Sequence, residues 1–358
     1  MIRLEAAAHR LAWPFTMSDR IHTEEELDEV LTRPGPALIE FIRHVSSPLL
    51  ILGAGGKMGA TVAVLAKRAA EAADLRTEIV AVSRFSDSST RQKIEEQGVR
   101  TLSVDLLERG GLRELPDAEN VIHLAGLKFG TAENPALTWA VNTLVPVHVA
   151  ERYSSARIVA LSTGNVYPHM PIDSGGATEV QPLSPLGDYA NAAAAREGVF
   201  TDASKKNGTP VAIIRLNYAV ELRYGVLVDI ARKVWAGEPV EVSNGWFNCI
   251  WQGDACDMVL RSLPLAASPP TVWNLTSSAM LSVHTVANQF SELFGRPAKF
   301  IGEESDTAFL SNPAKLFAEL GSPPTPLDAV IHWTAEWVGR GGRLLNKPTR
   351  FEVRDGRY

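Results

Sequence analysis

Gly53, Gly56 and Gly59, spaced three apart, can let a backbone close on a phosphate. They lie in the run Gly53-Ala-Gly-Gly-Lys-Met-Gly59, directly after the apolar Pro48-Leu-Leu-Ile-Leu52 and before an apolar, helix-like stretch over 60–73. Strand, glycine turn and helix form the arrangement that holds a dinucleotide pyrophosphate in a parallel α/β sheet. The glycines permit a tight turn, close approach of backbone to phosphate, and close packing of helix on strand. The start of the helix, with Lys57 and Met58 in it, offers free N–H groups and a positive dipole end to the anion. A glycine-rich turn without a ligand is the alternative.

Charge at the end of the second strand bears on which dinucleotide is held. An acid there bonds the adenosine ribose of NAD, and an arginine accommodates the extra phosphate of NADP. The chain reads Ala81-Val-Ser83-Arg84, with no acid until Asp87, and Lys57 adds a second positive charge in the turn. Ser83 and Arg84 with Lys57 therefore favour NADP over NAD. Asp105, after the third strand, is placed to meet the adenine edge.

These groups need a scaffold, and the pattern along the chain supplies one. Strands are expected at 48–52, 78–82, 100–104, 120–124, 157–162 and 211–216, with helices near 57–73, 87–97, 135–153 and 189–207. Such alternation implies a parallel sheet covered on both faces, with ligands at the carboxyl ends of the strands. The expected fold is α/β, a Rossmann-type doubly wound parallel sheet with a smaller C-terminal substrate lobe. Its parts are an N-terminal helical arm over 1–47, a dinucleotide-binding domain over 48–217, a smaller substrate lobe over 218–340 interleaved with the sheet, and an extension over 341–358. In the arm, Thr23-Glu-Glu-Glu26 has capping-box spacing, and 37–45 is an apolar helix or strand. The lobe mixes helices at 225–236, 253–263, 282–294, 312–320 and 326–338 with short strands near 239–242, 248–251 and 271–275.

Composition narrows the class. The 358 residues are 45% hydrophobic and 21% charged with a net charge of −6, an ordinary globular balance that does not invite nucleic acid or an anionic membrane. No apolar run approaches a membrane span, and residues 1–10 lack the apolar core of a signal peptide. Cys249 and Cys256 are too few for a disulfide framework, and no Cys/His cluster has zinc spacing. A reduced, cytoplasmic protein without a metal is expected.

With these features in view, the sequence resembles the extended short-chain dehydrogenase/reductase superfamily, specifically the NAD(P)-dependent epimerase/dehydratase family. The resemblance covers roughly 48–340. Its markers are the glycine turn, Asp105-Leu106, His123-Leu-Ala-Gly-Leu-Lys128, Asn142, Leu161-Ser-Thr-Gly-Asn-Val-Tyr-Pro168, Tyr189 with Glu197 eight residues on, Ile214-Arg-Leu-Asn217, Asp254-Ala and Val272-Trp-Asn-Leu275. His123–Lys128 is similar to the corresponding stretch of UDP-galactose 4-epimerases. The resemblance implies that Leu106, Leu124, Ala125, Gly126, Lys128, Asn142, Tyr189 and Asn217 join the turn in holding the cofactor.

It also implies roles. Thr163, three residues before Val-Tyr, binds the substrate oxygen. Tyr189 is the acid/base beside the nicotinamide. A lysine four residues after the tyrosine holds the ribose and lowers the tyrosine pKa; here that position is Ala193. An unperturbed tyrosine is only about 0.1% ionised at pH 7, and a nearby cation raises that fraction by stabilising the phenolate. Lys128 is the first candidate for a substitute cation. Arg196 is next along the helix and is read as angularly displaced.

Family relatives that act on nucleotide sugars carry an arginine shortly before the Asp-Ala pair, whereas this chain has Asn248-Cys-Ile-Trp-Gln-Gly-Asp254. Arg215 reads as structural. Arg223 faces either an anionic substrate or a surface salt bridge, and Trp246, Phe247 and Trp251 form either a sugar-stacking wall or core. The implied substrate is a sugar or a related polyhydroxy or keto compound. The helices at 135–153 and 189–207 correspond to the pair that forms a dimer contact in relatives, and Ala190, Ala192, Ala193, Ala194 and Ala203 would permit close approach in a homodimer. Two other readings stay open. In one, a residue other than Tyr189 moves the proton. In the other, the chain is a catalytically weak or inactive NAD(P)-binding protein, acting as a redox sensor or partner.

Overall fold

The computed structural model of the protein describes residues 21–128, 130, 133–347 and 349–356. Seven parallel strands form its central sheet: β1 (Leu49–Leu52), β2 (Ile79–Ser83), β3 (Arg100–Ser103), β4 (Asn120–His123), β5 (Arg157–Thr163), β6 (Val211–Leu216) and β7 (Thr271–Leu275). Their spatial order is β7-β6-β5-β4-β1-β2-β3. Strands covered on both faces read as unbroken apolar runs, and Leu49-Leu-Ile-Leu52 is buried at every position. The order reverses between β1 and β4, which pair in register from Leu49–Asn120 to Leu52–His123. The crevice beyond their carboxyl ends is therefore where a ligand belongs in such a sheet.

Helices cover both faces. On one lie α2 (Pro36–Ile42), α3 (Lys57–Ala72), α4 (Ser88–Glu96) and α9 (Gln252–Arg261), sharing a core with Leu49, Ile51 and Ala81. On the other lie α5 (Arg109–Arg113), α6 (Pro135–Arg152) and α7 (Gly187–Asn207), around Leu50, Leu52 and Val80. A second core forms the lobe from α1 (Glu24–Leu31), α8 (Val226–Ala236), α10 (Val283–Phe294) and α12 (Leu327–Gly339), and Trp251 meets Trp333 edge-on there. The helix α11 (Ala314–Leu320) packs under β7 through Leu316.

Several expectations change. The strand expected in the lobe near 271–275 is β7, the edge of the main sheet, pairing with β6 from Thr271–Ala212 to Leu275–Leu216. The arm is two separate anchors: α1, opened by the expected capping box of Thr23 and Glu26, enters the lobe core, and α2 packs on α3. Residues 1–20 lie outside the described residues. Ala190, Ala192 and Ala193 are buried within one copy of the chain, so their small size serves packing there. Described residues of the 341–358 extension are packed. Phe351 is buried in the lobe, and Arg354 donates to the Thr307 carbonyl at 2.7 Å.

Candidate functional site

The glycine turn is fixed by contacts that only glycine tolerates. Gly53 has φ +91°, and a Cβ there would lie 2.6 Å from the Ala125 nitrogen. A Cβ on Gly59 would lie 2.4 Å from the Gly53 carbonyl oxygen. Gly56 is different: it is the N-cap of α3, no side chain caps it, and a Cβ there would meet only the Gly53 oxygen at 3.3 Å. The first turn of α3 thus presents its N–H groups to an open side of the loop, which suits a pyrophosphate. A cleft of about 300 Å³ leads from this turn past Ser83, Arg84 and Phe85 to Asp105 and Leu106, with Ala125 and Gly126 on its floor. Arg84 and Asp105 are exposed at its rim, 3.9 Å apart. The lining fits the adenosine half of a dinucleotide.

Lys57 does not join Arg84. Its Nζ donates to the Ala219 carbonyl at 3.2 Å and sits 3.8 Å above the Tyr224 ring. The side chain leaves the start of α3 toward the 219–225 loop, away from the second strand. Desolvation there pushes its pKa down to about 7, against the pull of Glu221. Of the three residues expected to favour an extra phosphate, only Ser83 and Arg84 line the adenosine end.

Two expected cofactor ligands stand behind the wall. Asn142 is fully buried on α6. It donates to the Leu127 carbonyl (3.1 Å) and the Thr138 carbonyl (2.9 Å) and accepts from Arg196 Nη1 (3.0 Å). Those bonds hold the loop after β4 in place. Asn217, just past β6, donates to Asn248 Oδ1 (2.7 Å) and the Phe309 carbonyl (3.1 Å), joining the sheet to the lobe. Met58 packs on the first core, and the Leu124 N–H extends the β1–β4 ladder to the Leu52 carbonyl at 2.8 Å.

At the carboxyl end of β5 the fold brings Thr163 and Tyr189 together. Thr163 ends the strand and caps a single 3₁₀ turn, Gly164–Val166, and Tyr189 comes from the first turn of α7. The two hydroxyls hydrogen-bond, and Phe309 and Val353 pack against the ring. Burial raises the phenol above its usual pKa, while Arg196 and Thr163 pull it down. Behind Thr163 stands a buried ionic network. Arg215 binds Glu197 (2.7 Å) and the Tyr167 hydroxyl (2.7 Å), Ser162 donates to Glu197 (2.5 Å), and Tyr167 donates to Asn274 (2.8 Å). Arg215 is thus structural, as its place at a strand end implied.

Arg196 is a cation whose charge acts on the Tyr189 phenol. Lys128 feels Asp229 of the lobe, and desolvation pushes its pKa to about 8. Arg196, read from sequence as displaced, lies seven residues after Tyr189. Seven residues are almost two full turns, so both share one face of α7. Ala193 points elsewhere, into a small apolar cluster with Val166, Tyr167 and Ala177. Arg223 is taken up by Glu24, Asp28 and Glu221. Phe247 and Trp251 are core.

Known proteins share this fold. No curated protein matches the chain. Among solved structures, UDP-glucose 4-epimerase of Thermus thermophilus, in complex with NAD, is similar over 81% of this chain and 98% of its own, with 20% identity and a TM-score of 0.67. The dTDP-glucose 4,6-dehydratase DesIV of Streptomyces venezuelae, with NAD bound, is similar over 82% and 97%, with 17% identity and a TM-score of 0.69. UDP-glucose 4-epimerase of Thermotoga maritima, with UDP-glucose, is similar over 82% and 99%, with 15% identity and a TM-score of 0.68. At these identities the likeness establishes the shared fold. The sequence itself matches the model of one family over residues 49–275, from the first residue of β1 to the last of β7. The glycine turn, the switch-point cleft and the Thr163–Tyr189 pair all fall within that span, and the chain belongs to the NAD dependent epimerase/dehydratase family.

Proposed function

We propose that the protein is an NAD(P)-dependent oxidoreductase of the epimerase/dehydratase type, acting on a sugar or a related polyhydroxy or keto compound. One observation carries the reading: a buried Thr–Tyr hydroxyl pair stands at the carboxyl end of β5, on the same edge of the parallel sheet as the carboxyl end of β1, two strands away, which leads into an open, uncapped helix start that suits a pyrophosphate. A bound nicotinamide dinucleotide supplies the hydride acceptor or donor. Gly53, Gly56, Gly59 and the α3 start hold its phosphates, Asp105 and Leu106 flank the adenosine, and Ala125 and Gly126 form the floor. Thr163 binds the reacting oxygen of the substrate, and Tyr189 gives a proton to that oxygen or takes one from it. Ser83 at the end of β2 and Arg84 after it, with no acid before Asp87, favour NADP over NAD.

Fluorescence titration with NADPH and NADH, followed by turnover on a panel of nucleotide sugars and free keto sugars, tests this. Both reduced cofactors should bind, and Arg84→Ala should weaken NADPH about tenfold more than NADH, the size of one lost charged hydrogen bond. Tyr189→Phe should abolish turnover while leaving cofactor affinity nearly unchanged. Failure of both cofactors to bind would sink the proposal. A second reading has its own support: the family lysine is absent at Ala193, which suits a cofactor-binding redox sensor or partner. Tight binding with no turnover on any substrate, and no effect of Tyr189→Phe, would favour that reading. We also propose a homodimer built on the outer faces of α6 and α7.

A further inference from the structure

A phenol walled off from water and expected to move protons needs a cation to make its ionised form accessible. Position 193 holds alanine, fully buried among Val166, Tyr167 and Ala177, and carries no charge. On the face of α7 that carries Tyr189, the next side chain two turns on is Arg196. It is 5% exposed, and its Nη1 donates to Asn142 Oδ1 at 3.0 Å and to the Ala125 carbonyl at 3.5 Å. Side chains on a helix lean toward its N-terminus, which carries this guanidinium back toward Tyr189.

The surroundings are shaped for it. A Cβ at Gly126, on the cleft floor, would lie 2.5 Å from Arg196 Nη1 and 2.9 Å from Asn142 Oδ1, so the guanidinium uses the space that glycine leaves. The adjacent carboxylate does not cancel its charge. Glu197 is bound through both oxygens by Arg215 and through one by Ser162. His123, at the end of β4, is held neutral, its pKa pushed down to about 3 by burial and by Arg196 itself. Arg196 Nε is buried with no hydrogen-bond partner among the described residues. The other titratable groups acting on this spot are Tyr189 and, from the loop after β6, Tyr224, both neutral at pH 7.

We infer that Arg196 is the positioning residue that tunes Tyr189 in this chain, doing from two helical turns away, through the gap left by Gly126, what a lysine one turn away does elsewhere in the family. The inference rests on Tyr189 being the acid/base of the proposed function.

The test is a pH titration of the full chain carrying ¹³Cζ-labelled tyrosine, followed by NMR, with Tyr189→Phe assigning the resonance. Tyr189 should ionise about one pH unit or more higher in Arg196→Met than in the wild-type protein, the shift an opposite charge at short range produces. Arg196→Lys should recover part of the shift. Gly126→Ala, which crowds the guanidinium from the cleft side, should move Tyr189 in the same direction as Arg196→Met, and it decides the matter if Arg196→Met fails to fold. Equal ionisation in wild type and variants, or a Tyr189 that stays neutral up to unfolding in all of them, would overturn the inference. NADPH and NADH titrations of the same proteins separate the two claims. Cofactor binding without Tyr189–Arg196 coupling fails this inference alone, and coupling without cofactor binding fails the proposed function alone.

Discussion

Gly56 is where a side chain would hinder the ligand and not the fold. Its φ of −79° is ordinary for any residue, and the nearest atom to a Cβ there is the Gly53 oxygen at 3.3 Å. Gly53 and Gly59 face backbone atoms well inside 3 Å. We therefore expect Gly56→Val to fold with a nearly wild-type melting temperature and to bind NADPH and NADH at least about tenfold more weakly, the loss of one or more charge-assisted N–H contacts. Unchanged affinity in the folded variant would remove the pyrophosphate from this turn. Single residues differ in how far the sequence discloses them. The glycine spacing was legible because it is a local backbone requirement. The direction of Lys57 was not, because it depends on the Ala219 carbonyl and Tyr224 ring, brought over α3 from far along the chain. Arg196 was legible in principle: an offset of seven residues returns to the same helix face, whereas an offset of four from Tyr189 names only the family's usual position.

Between elements, the salt bridges of Arg223 join α1 to the turn that follows β6. The guanidinium contacts Asp28 at 2.9 Å, Glu24 at 3.4 Å and the buried Glu221 at 3.1 Å. Glu221 is almost fully enclosed, and its second oxygen has no hydrogen-bond partner among the described residues. Removing the arginine strands that carboxylate, so Arg223→Ala should lower the unfolding free energy by about 2 kcal/mol, measured by urea denaturation. Loss of the two half-buried contacts alone would cost less, so a change within experimental error would show that Glu221 finds another cation. Strands of the main sheet were readable from their apolar runs. The partner of 271–275 was not, because Thr271-Val-Trp-Asn-Leu275 carries the same pattern whether it edges the sheet or sits in the lobe. In the fold it pairs with β6, and α11 packs beneath it through Leu316.

At the scale of the molecule, α6 and α7 pack on each other, and α6 turns Trp139 (39% exposed) and Leu144 (49%) outward. If that face meets a second copy, sedimentation velocity should show a dimer that Leu144→Arg converts to a monomer. A wild-type monomer at micromolar concentration would rule the association out. The C-terminal stretch also has a whole-molecule role. It crosses the lobe, is held by Arg354 on Thr307, and lays the Gly356 carbonyl against Gly187 at the head of α7, where a Cβ on Gly187 would be 2.1 Å away. On the way, Val353 closes over Tyr189 and Phe309. A carbon side chain at that spot replaces water, which screens charges some twenty times more strongly than a dry protein interior. The stretch carrying Val353 therefore lowers the local permittivity at residue 189, and with it strengthens how any nearby charge is felt by a proton there.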